Sequence, residues 1–313
     1  MAYNNVMSRT DIAALIPEQV DLSMLTGLDD QSAALQYFRR IPLATSQSRF
    51  PVLSALPVAY FVNGDTGTKQ TSEVNWANKY INVEEIAVIL PIPQAVFDDA
   101  GFDVWGATRP LVEQAIGRAL DAAIFFGTNK PASWPLDIAG SAVAAGNVVA
   151  RGTSTSAQGG IAEDINQLMA TVEADGYDVN GFVTRRTFRS RLRGARATDG
   201  QKLLDINNES IEGVPVRYAM PGLWPAGLSA AEMFAGDWTQ QIVGIRQDVT
   251  LKVLTESAIF DNAGVLIFNL PQQDMIALRV MARYGWTTAN PINYDQATES
   301  ARYPAAVLRS PAA

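Results

Sequence analysis

The chain has 313 residues, 48% of them hydrophobic, and a net charge of −8 with a sequence pI near 4.7. This is ample for one large core or two modest ones, and so acidic a balance argues against wrapping nucleic acid as a main role. It has no cysteine and no histidine, which excludes disulfides, thiolate and histidine metal sites, Ser-His-Asp and Cys-His catalysis, and the usual general base near neutral pH.

Residues 1–49 read as an arm. Short helices are expected around 18–25 and 30–39, broken by Gly27 and Pro42, with no amphipathic run joining them. The start, "MAYNNVMSRTD", lacks the apolar core of a secretory signal. No apolar run of membrane-spanning length follows.

Residues 50–93 read as a long extended hairpin. Pro51 and Pro57 suit an edge strand or an unpaired segment, and "YINVEEIAVILPIP" is the β-rich return. Between them lies "NGDTGTKQT" (63–71), which has the residue types of a phosphate loop. The spacing fails: Gly64 and Gly67 are too close, Lys69 does not follow a glycine, and Gln70 separates it from Thr71. The helix that should follow is absent from the pattern. The stretch reads as turn chemistry at the tip of a β-ribbon. Such a ribbon cannot bury its own faces and needs a partner.

A long helix follows, with Thr108 as candidate N-cap, Pro110 in the first turn and Gly127 as the stop. Leu111, Ala115, Ala119, Ala122 and Phe126 form one apolar stripe, and Val112, Ile116, Leu120 and Ile124 form a second. Arg118 and Asp121 read as lying off the centre of these stripes. The upstream pair Asp98 and Asp99 reads as turn and capping chemistry, not as a catalytic carboxylate pair.

Residues 128–160, rich in Ala, Gly, Ser and Thr, read as loop or small strands. A helix is expected over 161–175, with Ile161, Ile165, Leu168, Met169 and Val172 on one face. The remainder to residue 235 alternates strand, short helix and turn. Arg185, Arg186, Arg189, Arg191, Arg193 and Arg196 cluster there. With Phe188 alone for stacking, they read as a solvated helix paired with carboxylates, in this chain or across an interface, not as a nucleic-acid patch.

The last third carries an ordered signature: Gly236-Asp237-Trp238, then Gly244-x-Arg246, an extended run, Ile276-x-Leu278-Arg279, Arg283, and a closing aromatic, Gly, small-residue and Pro segment. It resembles the C-terminal part of tailed-phage major capsid proteins of the Hong Kong ninety-seven type. The long helix with its Gly-x-x-x-Pro segment, and the strand, Asp-x-Gly turn and Gly-x-Pro-Val strand of the middle region, resemble further parts of that family in the expected order. The resemblance implies an α+β capsid fold with an N-terminal arm (1–49) and an extended β-hairpin loop (50–93). It implies a spine helix with the first part of a peripheral domain (94–135), an axial α/β domain (136–235), and return strands of both with the C-terminus (236–313).

A major capsid protein self-assembles, as hexamers and pentamers, into an icosahedral shell around double-stranded DNA. The resemblance implies no catalytic, metal or cofactor-binding residue. Its expected partners are copies of itself, a portal protein, separate scaffolding or decoration proteins, and DNA by weak non-specific contact, with no membrane. The expected location is the virion, after assembly in the bacterial host cytoplasm. No large in-chain scaffold is expected. An encapsulin-like shell around a cargo enzyme shares the fold and is the alternative, and an enzyme with a carboxylate or nucleotide site is a third.

Candidate subunit contacts are Asn63, Gly64, Asp65, Gly67 and Lys69 at the ribbon tip, Trp76 and Lys79 on its return, and Arg185, Arg189 and Arg193. Trp105 and Trp238 are further large aromatics, Trp238 reading better as core. Some relatives weld the loop to a neighbour by a Lys–Asn isopeptide bond assisted by a glutamate. Position places Lys79 and Asn269 near the reacting pair, but Ile276 stands where the glutamate is expected, which argues against the cross-link.

Overall fold

The computed structural model describes residues 32–62, 67–95, 104–196, 210–219, 222–224, 230–261 and 263–311. The helix expected around 18–25, the turn residues Asn63, Gly64 and Asp65, the pair Asp98–Asp99 and the Asp-x-Gly turn lie outside them. In chain order the elements are α1 (Ala33–Tyr37), β1 (Arg39–Pro42), β2 (Gln47–Ala55), β3 (Asn75–Pro93), α2 (Val104–Phe126), α3 (Ile138–Ala145), β4 (Val148–Ala150), α4 (Ile161–Ala174), β5 (Gly181–Arg185) and α5 (Arg189–Arg193). Then come β6 (Ser210–Ile211), β7 (Val214–Ala219), β8 (Ala231–Gly236), β9 (Gln241–Leu254), β10 (Ala258–Phe260), β11 (Leu266–Asn269), β12 (Met275–Thr288) and β13 (Ala305–Arg309).

The chain forms two compact units. One contains the described parts of Glu85–Glu113 and Gln247–Arg283, the other those of Leu28–Glu84, Gln114–Arg246 and Tyr284–Ala313. The second unit is built on a six-stranded sheet ordered β4-β13-β8-β5-β7-β6. Its most C-terminal strand, β13, lies inside the sheet, parallel to β4 and antiparallel to β8. Ala305 to Leu308 are all buried there, the continuous apolar run of a strand covered on both faces. Helix α4 buries Ile165, Leu168 and Val172 in the same core as Phe182, Met233 and Leu308. Each large side chain contributes about 1.5–3 kcal/mol on burial, so this face holds the helix in place.

An aromatic junction explains the Gly-Asp-Trp motif. Trp238 is fully buried and stacks on Phe38 at 5.7 Å, with Phe125 of α2 at 5.9 Å and Phe234 of β8 at 5.5 Å from Phe125. Its indole N–H donates to the Gly181 carbonyl at 2.9 Å, as a buried indole must. Asp237 accepts from Asn180 at 2.7 Å and caps the 3-10 turn through the Thr239 amide.

A second sheet has the order β1-β9-β12-β3-β2. Strand β2, which carries Pro51, is at its edge, where a missing N–H costs no ladder bond. It pairs antiparallel with β3 from Gln47↔Asn82 to Ala55↔Asn75, so the ladder begins three residues earlier than expected. Strand β1 pairs parallel with β9 from Arg39↔Ile242 to Pro42↔Ile245. Gly244 of the Gly-x-Arg motif is required there, because a Cβ would lie 2.3 Å from the Leu43 side chain.

In the first unit β10 and β11 form an antiparallel hairpin, and Arg283 pairs with Glu85 at 3.1 Å. Phe260, Val265, Leu266 and Ile267 of that hairpin region are exposed.

Four expectations are corrected. Helix α2 starts at Val104, so Thr108 is not its N-cap and Pro110 lies inside the helix. An internal proline costs about 3 kcal/mol, and the tertiary packing of Val112, Ile116, Leu120 and Ile124, all buried, offsets it. The other stripe is not a core face: Leu111, Ala115 and Ala119 are exposed. Gly127, with φ of 68°, does end the helix, and its amide donates to Ala123 at 3.1 Å. Asp121, read as lying off the buried centre, is fully buried. Within 128–160 the stretch from Ile138 to Ala145 is helical. Asp137 caps its start through the Gly140 amide and Gly146, with φ of 90°, ends it, so capping decided an element that periodicity could not.

Candidate assembly surfaces

Beyond the β2–β3 ladder the two legs of the ribbon, 56–62 and 67–74, have no ladder pairing. The Val58 amide donates to Ser72 Oγ at 2.7 Å, and Tyr294 Oη donates to the Pro57 carbonyl at 3.1 Å. Val58, Tyr60, Val62 and Val74 are exposed, Phe61 is 105% exposed and Trp76 65%. So many large apolar groups exposed along one element exceed what an isolated surface ordinarily carries. Gly67 and Lys69 are exposed on the same legs. The side chain of Trp105 lies outside the described residues, and Trp238 is core.

Lys79, on β3, ion-pairs with Glu299, an exposed carboxylate. Asn269, at the end of β11, donates its side-chain amide to Gln272 at 2.8 Å, and its backbone amide donates to Gln273. Ile276 is half-buried on β12.

The arginines are organised by Glu232 of β8, which is 1% exposed. Arg185 reaches Oε1 at 2.5 Å, Arg151 reaches Oε2 at 2.6 Å, and Arg191 stands at 3.6 Å from Oε1. Arg185 is thus held within its own chain. Arg189 lies over the Tyr218 ring at 5.4 Å. Arg193 is exposed at the end of α5. Neither Glu232 nor Glu299 is signalled by the sequence around the basic residue it pairs with, because both pairings are long-range.

The start of α1, in the described part of the arm, is anchored to the long helix. Ser32 Oγ donates to Asp121 Oδ1 at 2.7 Å, and the Ala33 and Ala34 amides donate to Oδ2 and Oδ1 at 2.9 and 3.1 Å. A carboxylate of the long helix therefore caps the N-terminus of α1, where backbone N–H groups and the helix dipole favour an anion. Burial raises Asp121 from 3.8 to about 6, and the Ser32, Ala33 and Ala34 donors pull it down in part. The sequence around Asp121 does not signal this role, because its partners lie 87 to 89 residues away.

No group of three or more His, Cys, Asp or Glu side chains with metal-binding geometry occurs among the described residues. A family model described as "Phage capsid family" matches residues 13–292. The chain belongs to the phage capsid family. Among solved structures, one from Microbacterium phage Oxtober96 is 39% identical over 98% of this chain and 100% of that one, with a TM-score of 0.79. One from Mycobacterium phage Adephagia is 29% identical over 98% of each chain, with a TM-score of 0.78. A capsid of an empty GTA particle, computed with C5 symmetry, shares the fold at 16% identity and a TM-score of 0.61. No curated protein sequence matches the chain.

The role of this capsid protein is that of a major capsid protein, a structural component of the virion, and its α+β fold is that of the family. A shell around a cargo enzyme is not favoured, since the similar structures come from phages.

Proposed function

We propose that the capsid protein assembles as hexamers and pentamers into an icosahedral shell around double-stranded DNA. The observation that carries this reading is the ribbon, whose Phe61 and Trp76 stand exposed among the described residues. The ribbon lies over a neighbouring subunit and the arm runs beneath another. Many modest contacts closed by symmetry then act together. The C5 description of a capsid with the same fold supports five-fold vertices. Residues 1–49 serve as arm, 50–93 as extended loop, 94–135 as spine and peripheral domain, and 136–235 as axial domain. Residues 236–313 complete both domains.

Asn63, Gly64, Asp65, Gly67, Lys69, Trp76 and Lys79 make contacts of the loop, and Arg189 and Arg193 contacts of the axial domain. A net charge of −8 keeps contact with packaged DNA weak over the surface as a whole. A portal protein and separate scaffolding or decoration proteins complete the partners. Assembly takes place in the bacterial host cytoplasm, and no step is catalytic.

Electron microscopy of the expressed chain tests the reading and should show closed particles tens of nanometres across. A stable monomer that never assembles, even with the phage's scaffolding protein, would overturn it. No covalent weld between Lys79 and Asn269 is expected, because Ile276 replaces the assisting carboxylate and Lys79 is paired with an exposed one. Boiled particles should run on a denaturing gel as one band near 33.8 kDa. A ladder of multiples would contradict this.

A further inference from the structure

The arginines around Glu232 border a cavity that capsid assembly does not explain. The loop after β4, the start of α4 and the end of α5 enclose an open space of about 470 Å³. Arg151, Arg191 and Arg196 line it, and the one carboxylate in the lining is Asp164. Both Asp164 oxygens are occupied, accepting from the Gly152 and Ser154 amides at 2.6 and 2.9 Å. Glu163, on the first turn of α4, is held by the Asn166 and Gln167 side chains.

Arg151, Arg191 and Arg196 thus stand against the committed Asp164 and the buried Glu232 that Arg151 and Arg191 share, leaving one positive charge over, in a chain of net charge −8. Arg191 spends only a 3.6 Å ion pair on Glu232. Arg196 has no ion-pair partner among the described residues.

We infer that this cavity is an oxyanion site that takes a phosphate group, from free phosphate or from a DNA backbone. Arg191 and Arg196 supply the planar paired donors that match phosphate oxygens. Arg151, fixed by Glu232, supplies the charge at the base.

Inorganic phosphate titrated into the purified full chain at constant ionic strength, followed by phosphorus NMR, should show saturable binding that chloride does not reproduce. Arg196→Gln should weaken it at least about tenfold while leaving the circular dichroism spectrum and thermal unfolding unchanged. Arg191→Gln should act in the same direction. A short DNA duplex distinguishes the sources. Displacement of phosphate by the duplex in the wild type but not in Arg196→Gln identifies the DNA backbone. Phosphate binding indifferent to the duplex identifies the free ion. Non-saturable binding, or equal binding by wild type and Arg196→Gln, overturns the site.

Discussion

Replacing Asp121 with alanine should destabilise the folded subunit by about 3 kcal/mol and lower its melting temperature by roughly 10 °C. The substitution strands three donors in the interior: the Ser32 hydroxyl and the amides of Ala33 and Ala34. Each buried, unsatisfied donor costs about 1 kcal/mol or more, against a typical total stability of about 5–15 kcal/mol. The effect should also depend on pH. The folded state binds the Asp121 proton more tightly than the unfolded chain, because burial raises this carboxyl to about 6 from 3.8. Stability from the group is therefore fully present below about pH 4 and is lost as pH rises through about 6. The gap between wild type and Asp121→Ala should widen as pH falls from about 7 to about 4.5, by about 2 kcal/mol. Thermal unfolding of the unassembled chain at the two pH values measures this. A gap that stays constant or narrows would show that the folded state does not hold the proton.

Deleting residues 64–71 should have the opposite signature: an unchanged fold and a loss of shells. The described legs of the ribbon make almost no contact with their own chain, so thermal unfolding of the subunit should not move. Particle yield by sedimentation and electron microscopy should fall by at least about tenfold, because each subunit loses a contact that closure multiplies. Shells of normal yield would remove the ribbon from assembly. Loss of the fold would mean that the tip belongs to the subunit core.

The ribbon and α4 were legible because their signals are local. Alternating β-rich residues and the edge-strand proline at 51 need no distant partner to be read. The face of α4, from Ile161 to Val172, follows the helical period and is the face that packs inward. Helix α3 was missed because eight residues of Ala, Gly, Ser, Val and Ile carry no usable period, and its caps at Asp137 and Gly146 outweighed composition. The start of α2 was misplaced because Pro110 looks like a beginning, whereas tertiary packing carries the helix through it.

By itself, then, the sequence determined the class of the protein. The absence of cysteine and histidine removed the catalytic and metal arrangements that need them, and the ordered motifs identified a capsid subunit. Only the tertiary structure decided which stripe of α2 is buried, that Asp121 holds the arm, and that Glu232 gathers three arginines. Those facts rest on pairings across 89 residues for Ser32 and Asp121 and 47 for Arg185 and Glu232. A local pattern cannot encode them, because a helix with two apolar stripes and a run of six arginines are each compatible with several partners. The fold chooses among those partners by which one it brings within hydrogen-bonding distance.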